Sequence, residues 1–182
     1  MAKLASSTYA DALFELAIEK NTYSEWREEI EAIQTILHDN PQFDELMSHP
    51  RILKEEKLKL AEEAFAGKAD PEIVGLIRIV IEKDRYAQLD AIFEEFIDSV
   101  KEYQGIGVAW VTTARELTAA QKQAVTQKLL DTTEFKTMEM HYDVDEGVIA
   151  GMVIRIGDRV VDSSIKTKLN DMTRQLLQIQ LG

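Results

Sequence analysis

The sequence predicts an α+β protein: an N-terminal six-helix bundle over residues 1–104, followed by a small α/β domain of order β-α-β-β-β-α over residues 105–182. Three observations support this. Apolar residues recur at helical spacing through the first segment and change to strict alternation after Gly107. Residues 1–104 hold all three prolines and two of the eight glycines, while the other six glycines follow. Charge divides at the same place: 12 basic and 23 acidic groups before it, 9 and 10 after it. Segments so different in glycine use and charge are expected to be separate domains, with Gly105 and Gly107 as a flexible joint.

In the first helix Leu13, Leu16 and Ala17 repeat at helical spacing behind Ser6 or Ser7, either of which suits an N-cap. Trp26, Ile30, Ile33 and Leu37 trace one face of a second. Asn40-Pro41 marks a third start, because Asn accepts from orphan amides and Pro at the first helical position loses nothing. Phe43, Leu46 and Met47 make that helix short, and Pro50 breaks the chain after it. Leu53, Leu58, Ala61, Ala64 and Phe65 form a fourth, closed by Gly67. Asp70-Pro71 opens a fifth with Ile73, Leu76, Ile77 and Val80. A sixth carries Leu89, Ile92, Phe93, Phe96, Val100 and Tyr103.

In the second segment Val108, Trp110 and Thr112 alternate with Ala109, Val111 and Thr113, a strand pattern. Thr118 with Gln121 is a capping box opening a helix through Leu130. Met138, Met140 and Tyr142 mark a second strand, and Val148 to Ile156 a third. Gly157-Asp158 is a two-residue hairpin turn into a fourth, Arg159 to Asp162. Ser163 or Ser164 then caps a last helix bearing Ile165, Leu169, Met172, Leu176 and Ile179.

Composition removes several functions. The chain of 182 residues has no cysteine, which excludes disulfide frameworks, thiolate metal sites and cysteine nucleophiles. A net charge of −12 argues against nucleic acid, whose phosphates need Lys and Arg, and against a polybasic grip on lipid. The longest uncharged apolar run, Val148 to Ile154, is far short of the ~20 residues that span a bilayer. Asp11, Glu15 and Glu19 interrupt any secretory leader.

No catalytic constellation is legible. His38 and His49 are expected in helical loops and His141 on the outside of a strand, without metal-ligand spacing. Gly147, Gly151 and Gly157 lack the spacing of a phosphate loop and suit turns and bulges. Asp143, Asp145 and Glu146 could bind a divalent cation, but they lack the EF-hand pattern and suit a solvated loop. No cofactor is expected.

The positive signal is apolar excess. In the first helix Tyr9, Leu13 and Leu16 lie on one line and Ala10, Phe14 and Ile18 on another; in the fifth, Ile73, Val74, Leu76, Ile77, Val80 and Ile81 cover more than half the circumference. A helix apolar on two faces is either central or offers its second face to a partner. Small Ala10, Ala12, Ala17 and Gly75 would admit a guest helix.

The opening Ser7-Thr8-Tyr9-Ala10-Asp11-Ala12-Leu13-Phe14 resembles the first helix of the delta subunits of F-type ATP synthases, whose mitochondrial counterpart is the oligomycin-sensitivity-conferring protein. The stretch from Gly151 through Gly157-Asp158, Asp162, Ser163, Ser164 and Ile165 to Leu169 is similar to that family's C-terminal signature. The resemblance implies a non-catalytic stator subunit linking the catalytic head to the peripheral stalk, so that proton flow drives ATP synthesis. It implies a groove between the first and fifth helices, at Tyr9, Ala10, Leu13 and Phe14 with Ile73, Leu76, Ile77 and Val80, holding the N-terminal helix of an alpha subunit. It implies that the C-terminal domain receives the ends of the b subunits through Ile165, Leu169, Met172 and Leu176. A single copy in a hetero-oligomer, peripheral at the cytoplasmic face of the cell membrane, follows. The rival readings are a small metal-dependent enzyme using Asp143 to Glu146, and a helical adaptor of an unrelated complex.

Overall fold

A computed structural model describes residues 2–165 together with Thr167 and Leu169. The protein is a mixed α+β chain with seven α-helices and one four-stranded mixed sheet among the described residues. It divides into two compact units, Met1–Tyr103 and Gln104–Gly182.

The first unit contains α1 (Ala2–Lys20), α2 (Tyr23–Asp39), α3 (Pro41–Ser48), α4 (Lys54–Phe65), α5 (Pro71–Glu82) and α6 (Leu89–Gln104), with a 3-10 turn at Tyr86–Gln88 before α6. Trp26, Ile30, Phe93 and Phe96 are fully buried and centre one continuous apolar core. The predicted start of α5 is present: Pro71 occupies the first turn and the Asp70 carboxylate accepts from the Glu72 amide at 2.9 Å. One helix start and one helix cap differ from expectation. Helix α1 begins at Ala2, so Ser6 and Ser7 lie inside it and cap nothing; the run Ala2-Lys3-Leu4-Ala5 consists of good helix formers that carry the helix past the serines. Asn40 precedes α3, but its side-chain amide donates backward to the Ile36 carbonyl at 2.8 Å and so closes α2. His38 lies in the last turn of α2, not in a loop.

The second unit contains β1 (Ile106–Thr113), α7 (Ala119–Thr132), β2 (Thr137–Val144), β3 (Met152–Ile156) and β4 (Arg159–Asp162). The sheet order is β2-β1-β3-β4. Strand β1 runs parallel to β2, joined through the crossover helix α7, and antiparallel to β3; β3 and β4 form a hairpin. Thr118 caps α7 as expected, its hydroxyl accepting from the Gln121 amide while the Gln121 side chain accepts from the Thr118 amide at 2.9 Å.

The third strand is shorter than predicted. Val148 ends a 3-10 turn, Glu146–Val148, and Ile149 and Gly151 take positive φ of 67° and 91°. The apolar run at 148–151 is therefore a bend, held by the Asp145 carboxylate accepting from the Gly147 amide at 2.8 Å. A short apolar run has no period of its own, so sequence alone could not separate bend from strand.

Candidate partner-binding surfaces

An α-helix turns 100° per residue, so each position in α1 and α5 has a computable direction. In α1, Ser6, Ala10, Leu13 and Ala17 fall on one face, and all four are buried. In α5 the buried face carries Ile73, Leu76, Ile77, Val80 and Ile81. Two contacts fix the helices side by side and antiparallel. Lys20, at the end of α1, pairs with Glu72, at the start of α5. At the other end the Arg85 guanidinium lies 5.7 Å from the Tyr9 ring centroid and its Nη1 donates to the Tyr9 hydroxyl at 3.4 Å. The hydrogen bond from Lys20 to Glu72 holds the Lys20 ammonium above its ordinary pKa.

These contacts identify the facing flanks. Tyr9, Leu16 and Lys20 share the α1 flank turned to α5; Glu72, Leu76 and Ile79 share the α5 flank turned to α1. One step outward lie Ala12 and Gly75, neither of them buried. Ile79 is 45% exposed, a large apolar side chain left at the rim. A Cβ added to Gly75 would meet nothing within 4 Å. Ala12, Leu16, Gly75 and Ile79 therefore stand on the outward sides of the two helices, and Gly75 also borders a cleft with Ala66 and Gly67 beyond the end of α4.

The eight residues expected to line this groove separate into three groups. Ala10, Leu13, Ile73, Ile77 and Val80 point into the core and form the floor. Leu76 is 8% exposed and Tyr9 half-buried, on the flanks that meet. Phe14 lies on the far flank of α1, its ring edge-on to Tyr103 at 5.9 Å, which itself meets Tyr23 at 5.4 Å. Ala17, one of the small residues expected to admit a guest, is likewise core. Sequence reasoning placed Leu16 on the apolar line of Tyr9 and Leu13 but not in the groove, and it did not name Ile79. Their signal was there: the oppositely charged Lys20 and Glu72 stand, respectively, one turn from Leu16 and two turns from Ile79 and mark the adjoining flanks.

In the second unit Ile165 and Leu169 are 43% and 51% exposed; Met172 and Leu176 lie outside the described residues. The segment opens on a local network. The Asp162 carboxylate accepts from the Ser164 amide at 2.8 Å and from the Thr167 hydroxyl at 2.6 Å, and the Ser164 hydroxyl accepts from the Thr167 amide at 3.2 Å. Ser164, not Ser163, is the cap; the Ser163 hydroxyl instead donates to the Met152 carbonyl at 2.9 Å. Of the acidic loop, Asp143 accepts from the Val144 amide and Asp145 from the Gly147 amide, so both carboxylates serve the local backbone. Among the described residues no three acidic or histidine side chains gather as metal ligands.

Comparison with known proteins follows the same direction. Residues 5–176 match the family described as ATP synthase delta (OSCP) subunit. The chain is 43% identical over 182 residues, all of both chains, to ATP synthase subunit delta of Lachnoclostridium phytofermentans. It is 34% identical over 179 residues, 98% of this chain and 99% of the other, to ATP synthase subunit delta of Alkaliphilus oremlandii. Its fold is similar to that of a chain in the cryo-EM structure of the Toxoplasma gondii mitochondrial ATP synthase hexamer, with a TM-score of 0.78 at 23% identity over 94% of this chain and 97% of that one.

Proposed function

The chain belongs to the ATP synthase delta (OSCP) subunit family, and we propose that its two units are two separate domains, each holding a different neighbour. As a member of that family it is a non-catalytic stator component of the peripheral stalk of an F-type ATP synthase. A stator works by holding, so its chemistry is apolar contact, which scales at ~25 cal/mol per Å² buried.

The helical domain, a six-helix bundle in this reading, receives the N-terminal helix of an alpha subunit along the α1/α5 shelf. The observation that carries this is the open apolar step formed by Ala12, Leu16, Gly75 and Ile79 on two helices tied together at both ends. Ala10, Leu13, Ile73, Ile77 and Val80 support it from below, and Tyr9 and Leu76 flank the seam. The C-terminal domain, of order β-α-β-β-β-α, receives the ends of the b subunits, with Ile165, Leu169, Met172 and Leu176 as contacts. One copy serves one complex. No helix among the described residues is long and apolar enough to cross a membrane, and the subunit is held at the cytoplasmic face of the cell membrane through the complex.

The test is titration of an alpha-subunit N-terminal peptide into the full chain, followed by NMR. Shifts confined to residues 6–20 and 71–83, with micromolar or tighter binding, support the shelf. Absence of perturbation there removes it.

A further inference from the structure

Strand register places one cross-strand row on the face of the sheet turned away from α7. Trp110 pairs with His141 of β2 and with Arg155 of β3, and Arg155 pairs with Val160 of β4. Tyr142, next along β2, reaches α7, where its hydroxyl donates to the Lys122 carbonyl at 3.2 Å. Alternation therefore turns His141, Trp110 and Arg155 to the opposite face. There Trp110 is 47% exposed and Val160 59% exposed.

The row is held in place. The Trp110 and His141 rings stack with centroids 4.2 Å apart and planes at 18°. His141 Nε2 hydrogen-bonds with Glu139 Oε1 at 2.9 Å. The Arg155 guanidinium lies 5.9 Å from the Trp110 ring centroid. Among the described residues no carboxylate pairs with that guanidinium.

We propose that this row is an interaction surface for an amphipathic partner helix that packs an aliphatic side chain on the exposed edge of the Trp110 indole and sets a carboxylate against Arg155. Trp and Arg are the residue types that carry most binding energy at interfaces. Here their side chains are already fixed by neighbours, so less rotamer freedom is lost on binding. Charge complementarity selects the acidic partner, because Arg155 offers a planar fork of donors that a carboxylate fills bidentately. Residues three or four apart on a helix lie about 5–6 Å from each other, which matches the 5.9 Å between guanidinium and ring. The proposal rests on the reading that the C-terminal domain receives the b subunits, and it gives that contact a place on the sheet.

The experiment labels the full chain with 5-fluorotryptophan and adds the soluble segment of the b subunit from the same synthase. Two 19F resonances are expected, Trp26 and Trp110, assigned with Trp110→Phe. On binding, the Trp110 resonance shifts and loses its solvent isotope effect while buried Trp26 stays. Arg155→Glu and Trp110→Ala each weaken binding about tenfold or more, a change of about 1.4 kcal/mol, and both keep the amide NMR shifts of α7, β2 and β4 seen in the wild-type chain, which certifies the fold of the second unit. Unchanged b-segment affinity in both variants overturns the surface and leaves the stalk reading intact. Failure of the b segment to bind the wild-type chain overturns both. A Trp110 already shielded in the free chain also overturns the surface: shielding at every concentration assigns the face to the chain itself, and shielding that grows with concentration assigns it to a second copy.

Discussion

Gly75 sits in the interior of α5, where a Cβ would meet nothing within 4 Å. Glycine in a helix interior costs about 0.8–1.0 kcal/mol relative to alanine, because its backbone loses more freedom on folding. Gly75→Ala should therefore stabilise the helical unit by about that amount. For a domain of ~100 residues, 1 kcal/mol shifts Tm by about 4–8 °C. Thermal melts of the full chain by far-UV circular dichroism would read the shift. The chain thus forgoes stability at a position where space is free. The proposed shelf would account for it, since a bare backbone would let a guest helix approach beside Ile79 and Ala12. Gly75→Leu fills that space. It should leave the fold intact and reduce alpha-peptide affinity about tenfold or more, or about 1.4 kcal/mol. A lower Tm for Gly75→Ala would reveal a contact at this position and refute the stability argument. Unchanged peptide affinity in a folded Gly75→Leu chain would refute the shelf.

Ile77 is 1% exposed and Ile79 45% exposed on the same helix; Ile77→Asp buries an unpaired charge and should unfold the helical unit, whereas Ile79→Asp should keep its circular dichroism and lose the peptide. Thr118→Ala removes the hydroxyl of the α7 capping box and should cost the second unit about 1 kcal/mol, read from denaturant melts followed at Trp110. Gly151 has φ +91° and a Cβ there would stand 2.5 Å from the Ser163 carbonyl oxygen, so Gly151→Ala should destabilise the same unit by about 1–3 kcal/mol. Burial, aided by the hydrogen bond it donates to Asp44 at 2.5 Å, raises the pKa of the Tyr86 phenol well above its ordinary value. With the folded pKa above the unfolded one, this stability is complete below about pH 10 and is lost as pH rises beyond it. Ultraviolet titration should show one tyrosine ionising last, and Tyr86→Phe should abolish that step.

The α+β class was legible because the hydrophobic period changes from helical to alternating within a few residues of Gly105. Helix starts with strong local chemistry, Asp70-Pro71 and Thr118 with Gln121, stand where their residues place them. The start of α1 was not legible, because serine serves equally at a cap and within a helix whose preceding residues favour helix. The two-faced helices were the harder case. Periodicity shows that α1 and α5 are apolar on more than one side, but not which side meets the core. That choice is made by tertiary neighbours: Glu72 for Lys20, Arg85 for Tyr9, Tyr103 for Phe14. Five of the eight expected groove residues, Ala10, Leu13, Ile73, Ile77 and Val80, are consequently buried in the core of the first unit. The Trp110 row was illegible for a related reason, since three strands contribute to it and only their register brings the residues together.

The borders of the sheet have a consequence for how it meets other chains. One margin, β2, alternates Glu139, His141 and Asp143 along its length; the other, β4, is four residues long and begins and ends on charges, Arg159 and Asp162. Ionic side chains and brevity both discourage a foreign strand from annealing to an unpaired margin. In a crowded machine where the same subunit must join only its proper neighbours, such margins keep the sheet from growing outward, and recognition is left to side chains standing on its broad faces.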